Sequence, residues 1–227
     1  MTPAATRRPL PDLVRHLMAA GVAMPLIYFG IQVAAAPFYR GYSFLSRDAS
    51  SLGSPVSTAP WIFNDGMLAL AAVTLATAAA FLSAPASSRV GRGLAILTGI
   101  ALASAGLGSL NAFLHPLPDP RHTEGLLAAV GSGLIVLPVL MSAIFWRAGA
   151  RAAAVATAVA YLGLIPLTTG LVQRACMRAG VDFAGYQWFL NNYQGLIQRI
   201  AAIVVFVPVG VVAFVLQRRR AEEGRGR

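Results

Sequence analysis

"LIQRIAAIVVFVPVGVVAFVL", residues 196–216, carries one charge, Arg199, near its start and is otherwise almost wholly apolar. About twenty such residues, rising ~1.5 Å each along a helix, cross the hydrocarbon core of a bilayer. Five further stretches have similar length and character: Leu17–Pro37, Ile62–Leu82, Gly93–Leu114, Gly125–Trp146 and Arg151–Val172. Backbone left unpaired in lipid is too costly for anything but a helix or a closed barrel. Barrel strands would be ~10 residues of alternating polarity, and these runs do not alternate. The reading is an all-α membrane protein, a bundle of six transmembrane helices over residues 17–216, with a segment 1–16 before it and a basic tail 217–227 after it. Pro25, Pro138, Pro166 and Pro208 fall inside the predicted helices, where neighbouring helices tolerate kinks.

Composition agrees. The chain of 227 residues is 57% hydrophobic, with a mean hydropathy of +0.67. Its 11% charged share is less than half the ~25% usual in soluble domains. The net charge of +10 does not point to nucleic acid, because the arginines sit in short clusters between apolar runs and form no basic helix face. Every basic residue is Arg, which with the abundant Ala fits a GC-rich bacterial genome. A single cysteine, Cys176, excludes an internal disulfide framework. The first stretch follows basic residues as a signal peptide would. Its apolar run exceeds an ordinary signal core, and Pro37 suits a cleavage site poorly, so a retained helix is expected.

Arginine placement sets the orientation. Twelve arginines lie in the N-terminal segment, loops 83–92 and 147–151, and the tail, against five in loops 38–61, 115–124 and 173–195. Both termini are therefore expected in the cytoplasm of an inner-membrane protein. Tyr39, Tyr42, Trp61, Tyr186, Trp188 and Tyr193 gather at the predicted outer boundaries, as interfacial rings do. "DFAGYQWFLNNYQG" (182–195), aromatic and polar together, is expected to lie along the outer interface. The halves show no sequence repeat and the loop lengths do not mirror, which speaks against an inverted-repeat transporter.

Polar residues inside spans carry the functional information. Gln32, Asn64, Asp65, Ser109, Asn111, His115, Thr168, Thr169, Gln198 and Arg199 all fall near the predicted outer ends of their helices. They outline an outward-facing polar pocket, with Asn64, Asp65, Asn111, His115 and Arg199 as candidate ligand residues. Asp65 and Arg199 either pair there, or stand apart with Arg199 reaching out to the headgroups. On helix three, Ala95, Gly99 and Ala103, with Ser104, Gly108 and Ala112, recur at four-residue spacing and predict close helix packing.

"LHPLPDPRHTEG" (114–125) separates helices three and four. His115, His122 and Asp119, or Asp65 in its place, could supply three ligands to a catalytic zinc. Pro116, Pro118 and Pro120 forbid a continuous helix between the histidines, so this is not an HExxH arrangement. The stiffer reading is a hinge, with Asp119 and Pro120 as N-cap and first residue of helix four and Glu124 at its positive end. The serine-rich stretch 43–66 has no nucleophile elbow and reads as a turn around Gly53 and Pro55.

"SRDASSLGSP" in the first outer loop, Asn64 and Gly66 opening helix two, "HPLPDPRH" after helix three and "GLIQRI" (195–200) together resemble a family. It is the bacterial six-helix membrane proteins catalogued as domain of unknown function 998, over roughly residues 15–217. The resemblance implies a multi-pass membrane protein with its characteristic polar residues on one side, and it brings no reaction. A distant likeness is to the seven-helix alkaline ceramidases, which would imply a Ser, Asp and His zinc site. The last helix here holds no histidine, a departure from that pattern. Three functions follow: a protein whose outer pocket binds or passes a small polar or amphipathic ligand, a metal-assisted lipid hydrolase, or a structural subunit of a membrane complex.

Overall fold

The computed structural model describes residues 12–84, 88–168, 178–180 and 184–225. The regular elements among them are all helical: α1 (Asp12–Ala35), α2 (Pro60–Ser83), α3 (Arg89–Leu114), α4 (Leu126–Gly131), α5 (Leu137–Arg147), α6 (Arg151–Thr168) and α7 (Ala184–Arg225). Among the described residues, five segments are long and apolar enough to cross a membrane: His16–Phe38, Pro60–Ser83, Arg89–Leu114, Pro120–Arg147 and Asn191–Gln217. α6 is shorter, with 18 residues before the described part ends. The fold is an all-α membrane protein.

The helices form a closed ring. α1 packs on α2 and α7, α2 on α3, α3 on α4 and α5, and α5 and α6 on each other and on α7. Met18, Met24, Leu70, Leu102, Leu137, Met141 and Val209 are fully buried along its axis. Large apolar side chains such as Leu26, Leu97, Val159 and Ile203 point outward, as a bilayer requires. Such a face is no liability in lipid, which is as apolar as leucine, and the helices are held by close packing instead.

That packing uses small residues where the sequence places them. A Cβ on Gly131 would stand 2.5 Å from Gly108 Cα, so α3 and α4 touch backbone to backbone. Gly99 and Gly106 lie beneath Leu82 and Leu75 of α2. The close packing expected of helix three is what the structure shows.

Two elements differ from expectation. The fourth span is not one helix: α4 gives way to a 3₁₀ turn at Ser132–Val136 before α5. Gly131 and Gly133 favour the break, and Pro138 cannot continue the backbone ladder. The Ser104 hydroxyl of α3 donates to the Val130 carbonyl beside it. Residues 184–195 are also not a separate interfacial segment, because they are the first turns of α7. At 42 residues α7 is about 63 Å long, twice the ~30 Å core, so its ends must project beyond it.

Candidate functional site

The polar groups gather at one end of the bundle. That end holds the 36–59 connection, the 115–125 hinge and the part of α7 bonded to the connection. We call it the hinge end.

Residues 36–59 are ordered by their own side chains. Asp48 caps a 3₁₀ turn at Ala49–Gly53, accepting from the Ser51 amide at 3.3 Å and from its hydroxyl. Asn64, from the first turn and a half of α2, donates to the Gly53 carbonyl at 3.2 Å. The serine-rich stretch is thus a capped turn, as its composition predicts, and Asn64 holds it to α2.

Three residues of α7 then strap this connection to it. The Leu196 amide donates to the Leu45 carbonyl at 2.9 Å, and the Ala49 amide to Gln198 Oε1 at 2.7 Å. The third contact is the buried Arg199. Its Nη1 donates to the carbonyls of Gly195, Phe44 and Arg47 at 2.7, 2.8 and 3.0 Å. Nη2 donates to the Tyr42 hydroxyl, which in turn donates to the Asp48 carbonyl at 3.1 Å. The guanidinium also lies over the Phe44 ring, 4.8 Å from its centroid. Burial raises the Tyr42 phenol above its ordinary value against the opposing pull of Arg199, so it serves as a neutral hydroxyl.

Arg199 therefore neither pairs with Asp65 nor reaches outward. Asp65 is exposed on α2, one residue from Asn64 and off the inward face. The charge is held by carbonyl dipoles and aromatic faces. Its Nε is buried without a partner among the described residues.

At the hinge, Asp119 caps as predicted, accepting from the Arg121 amide at 2.9 Å, but it caps a 3₁₀ turn at Pro120–His122 and not the helix. α4 starts at Leu126, after Gly125, whose φ of +94° suits only glycine. Glu124 is thus exposed ahead of the helix and does not sit in its first turn. The Arg121 guanidinium grips both Asp119 oxygens, at 2.7 to 3.2 Å, and holds the carboxyl well below the usual carboxylate range. His115 Nδ1 is 3.5 Å from Asp119 Oδ2. The His122 Nδ1 turns instead to the His115 carbonyl, at 2.8 Å. No group of three or more His, Cys, Asp or Glu able to hold a metal gathers among the described residues. The three proposed zinc ligands are neighbours in the hinge, but two of them are engaged by other partners. Asn111 closes the hinge from α3, donating to the Arg121 and His122 carbonyls at 3.0 and 3.1 Å.

Between the hinge and the strap lies a cavity of about 480 Å³, bounded by α1, α2, α3, α4 and α7. Met67, Leu70, Ala105, Leu134, Val205 and Phe206 give it apolar walls, and Ser109, Asn111, His122, Thr123 and Gln198 a polar rim. Residues 22–215 match the family described as proteins of unknown function, DUF998. The chain belongs to that family. No curated protein and no solved structure matches it. Membership of DUF998, with helices suited to crossing a membrane, makes this a multi-pass membrane protein.

Of the expected ligand residues, Asn111 reaches the cavity, and His122, expected only as a metal ligand, joins it. Asn64 holds the connection to α2, Arg199 straps it to α7, Asp65 faces away, and His115 lends its carbonyl to the hinge. Gln198 and Tyr42 carry more than the sequence suggested. The only hint was Gly195 four residues before Arg199, the spacing that lets the guanidinium fold back on its own helix. Thr169 and Cys176, and the start of the 182–195 segment, lie outside the described residues.

Proposed function

We propose that this DUF998 protein binds or passes a small amphipathic ligand in the cavity at its hinge end. The reading is carried by one observation: a space of about 480 Å³, within the ~300–1,000 Å³ common for ligand sites, with apolar walls and a polar rim at one end. We further place six spans across the inner membrane with both termini cytoplasmic. Arginine bias supports this arrangement, and it turns the hinge end outward. In this frame the apolar walls lie in the hydrocarbon region and the rim lies near headgroup level, where an amphipathic molecule would align itself.

The test is co-purification. Protein extracted in mild detergent is analysed by native mass spectrometry beside an Ala201→Phe variant, whose ring takes up cavity space. Retained small molecules present in the wild type and lost in a folded variant support the reading. Identical spectra, with no retained molecule in either, refute it.

A further inference from the structure

Three polar side chains of the cavity rim, Gln198, Asn111 and His122, are half used among the described residues, and what remains helps to define a ligand. The Ala49 amide can donate only to an oxygen, which fixes the Gln198 amide orientation and leaves its Nε2 hydrogens unspent. Asn111 gives its Nδ2 hydrogens to two carbonyls, which leaves Oδ1 as an open acceptor. His122 faces a carbonyl with Nδ1, so in the neutral ring that nitrogen carries the proton and Nε2 keeps its lone pair. All three residues line the same cavity. These three offer one donor group and two acceptors, beside the hydroxyls of Ser109 and Thr123.

Charge is absent from this rim. None of the described lining residues is Asp, Glu, Lys or Arg. Arg199, next to Gln198 in sequence, spends its charge on the carbonyls of the strap and does not line the cavity. An ionic head drawn into this space would lose water and find no opposite charge. An acceptor-only head, such as an ester or ketone, would use Gln198 and leave Asn111 and His122 unmatched. A hydroxyl both donates and accepts, and a pair of hydroxyls answers all three groups.

We infer that the cavity takes an uncharged, hydroxyl-bearing amphiphile, a lipid alcohol or polyol head on a single chain, and discriminates against charged heads on the same chain. The inference rests on the cavity reading above and specifies its ligand. Gln198 Nε2 donates to a head hydroxyl, which donates in turn to Asn111 Oδ1 or His122 Nε2. The chain lies along Leu70, Val205 and Phe206.

Three probes sharing one oleoyl or oleyl chain test it on purified full-length protein in nanodiscs: 1-oleoylglycerol, 1-oleoylglycerol 3-phosphate and oleyltrimethylammonium. Saturable binding of radiolabelled 1-oleoylglycerol is expected, with each charged probe competing at least ten-fold more weakly. Ala201→Phe should cut the binding ten-fold or more. Gln198→Glu keeps an oxygen for the Ala49 amide but replaces the donor with a negative charge. It should weaken 1-oleoylglycerol about ten-fold and admit the cationic probe. Wild-type head preference needs no variant, so misfolding of either substitution leaves the test intact. If either charged probe binds the wild type as well as or better than 1-oleoylglycerol, and Ala201→Phe abolishes that binding, the neutral class is wrong and the cavity stands. If no probe shows saturable binding sensitive to Ala201→Phe, this ligand assignment is wrong. The cavity reading then fails too wherever co-purification is also empty.

Discussion

Gly195→Ala is the sharpest test of the strap, because propensity and packing predict opposite signs. In a helix interior, alanine is favoured over glycine by about 1 kcal/mol. At Gly195 the added Cβ would stand 2.8 Å from the Phe44 carbonyl oxygen and closer still to that of Arg47, with Arg199 Nη1 at 2.9 Å. Carbonyl oxygens cannot swing aside as a side chain can, so residues 44–47 must back away from α7. The bonds from Arg199 to Phe44 and Arg47 then lengthen, and so does the Leu196 to Leu45 bond. Hydrogen bonds to a charged group contribute about 1.5–3 kcal/mol each. Losing two of them outweighs the helix gain and leaves a net loss of about 2–5 kcal/mol.

The assay is thermal unfolding of the detergent-solubilised protein, with Gly163→Ala and Gly30→Ala as controls. Both controls sit in helices with nothing within 4 Å of the new methyl group, so they should be neutral or stabilise by up to ~1 kcal/mol. A Gly195→Ala protein that melts together with the controls would refute the carbonyl cage as the feature holding loop to helix.

Further outcomes follow from the same contacts. Gly131→Ala forces a methyl against the α3 backbone at Gly108 and should destabilise by about 1–3 kcal/mol in the same melt. Asn111→Leu strands the Arg121 and His122 carbonyls, at a cost of about 1–3 kcal/mol, and should speed tryptic cleavage after Arg121. Asp119 has its folded carboxyl held down by Arg121, so its contribution is complete above the unfolded value near ~3.9 and fades as pH falls through the lower folded one. Amide protection at Arg121 and His122, the exchange rate compared with the unstructured rate at the same pH, should fall on acidification below about pH 4 in the wild type, and Asp119→Asn should abolish that acid dependence.

The spans were legible because their cause is one-dimensional: a run of apolar residues long enough to cross lipid declares itself without reference to neighbours. The breaks were less so. Asp119–Pro120 reads as a helix start, and it does start a turn, but Gly125 five residues on resets the chain and α4 begins after it. The polar level near one end was also visible, since depth along a helix follows from counting. Rotation about the helix axis does not. Asn64 and Asp65 are adjacent in sequence and differ by ~100° on the helix, which separates a residue holding the turn from one facing outward. Arg199 and Gln198 divide in a similar way: both join the strap, and Gln198 alone also reaches the cavity rim.

The strap explains how a charged residue persists inside a span. Insertion scales place the cost of an arginine at mid-bilayer at about 2.5–3.5 kcal/mol, and a salt bridge would offset it only by burying a second charge. Here the compensation comes from backbone. The carbonyls of Phe44 and Arg47 belong to a connection that forms neither sheet nor long helix, so they need donors of their own. Arg199 supplies those donors, and the carbonyls supply the negative potential that lets it stay. The same bonds serve both sides, which couples the 43–49 segment to α7. Gln198 belongs to the strap through the Ala49 amide and to the cavity through its other face. Whatever loosens the strap must therefore also move a donor on the cavity rim. A folded Arg199→Met protein should then lose 1-oleoylglycerol affinity, although residue 199 does not line the cavity. Unchanged affinity in that variant would show that strap and cavity are independent.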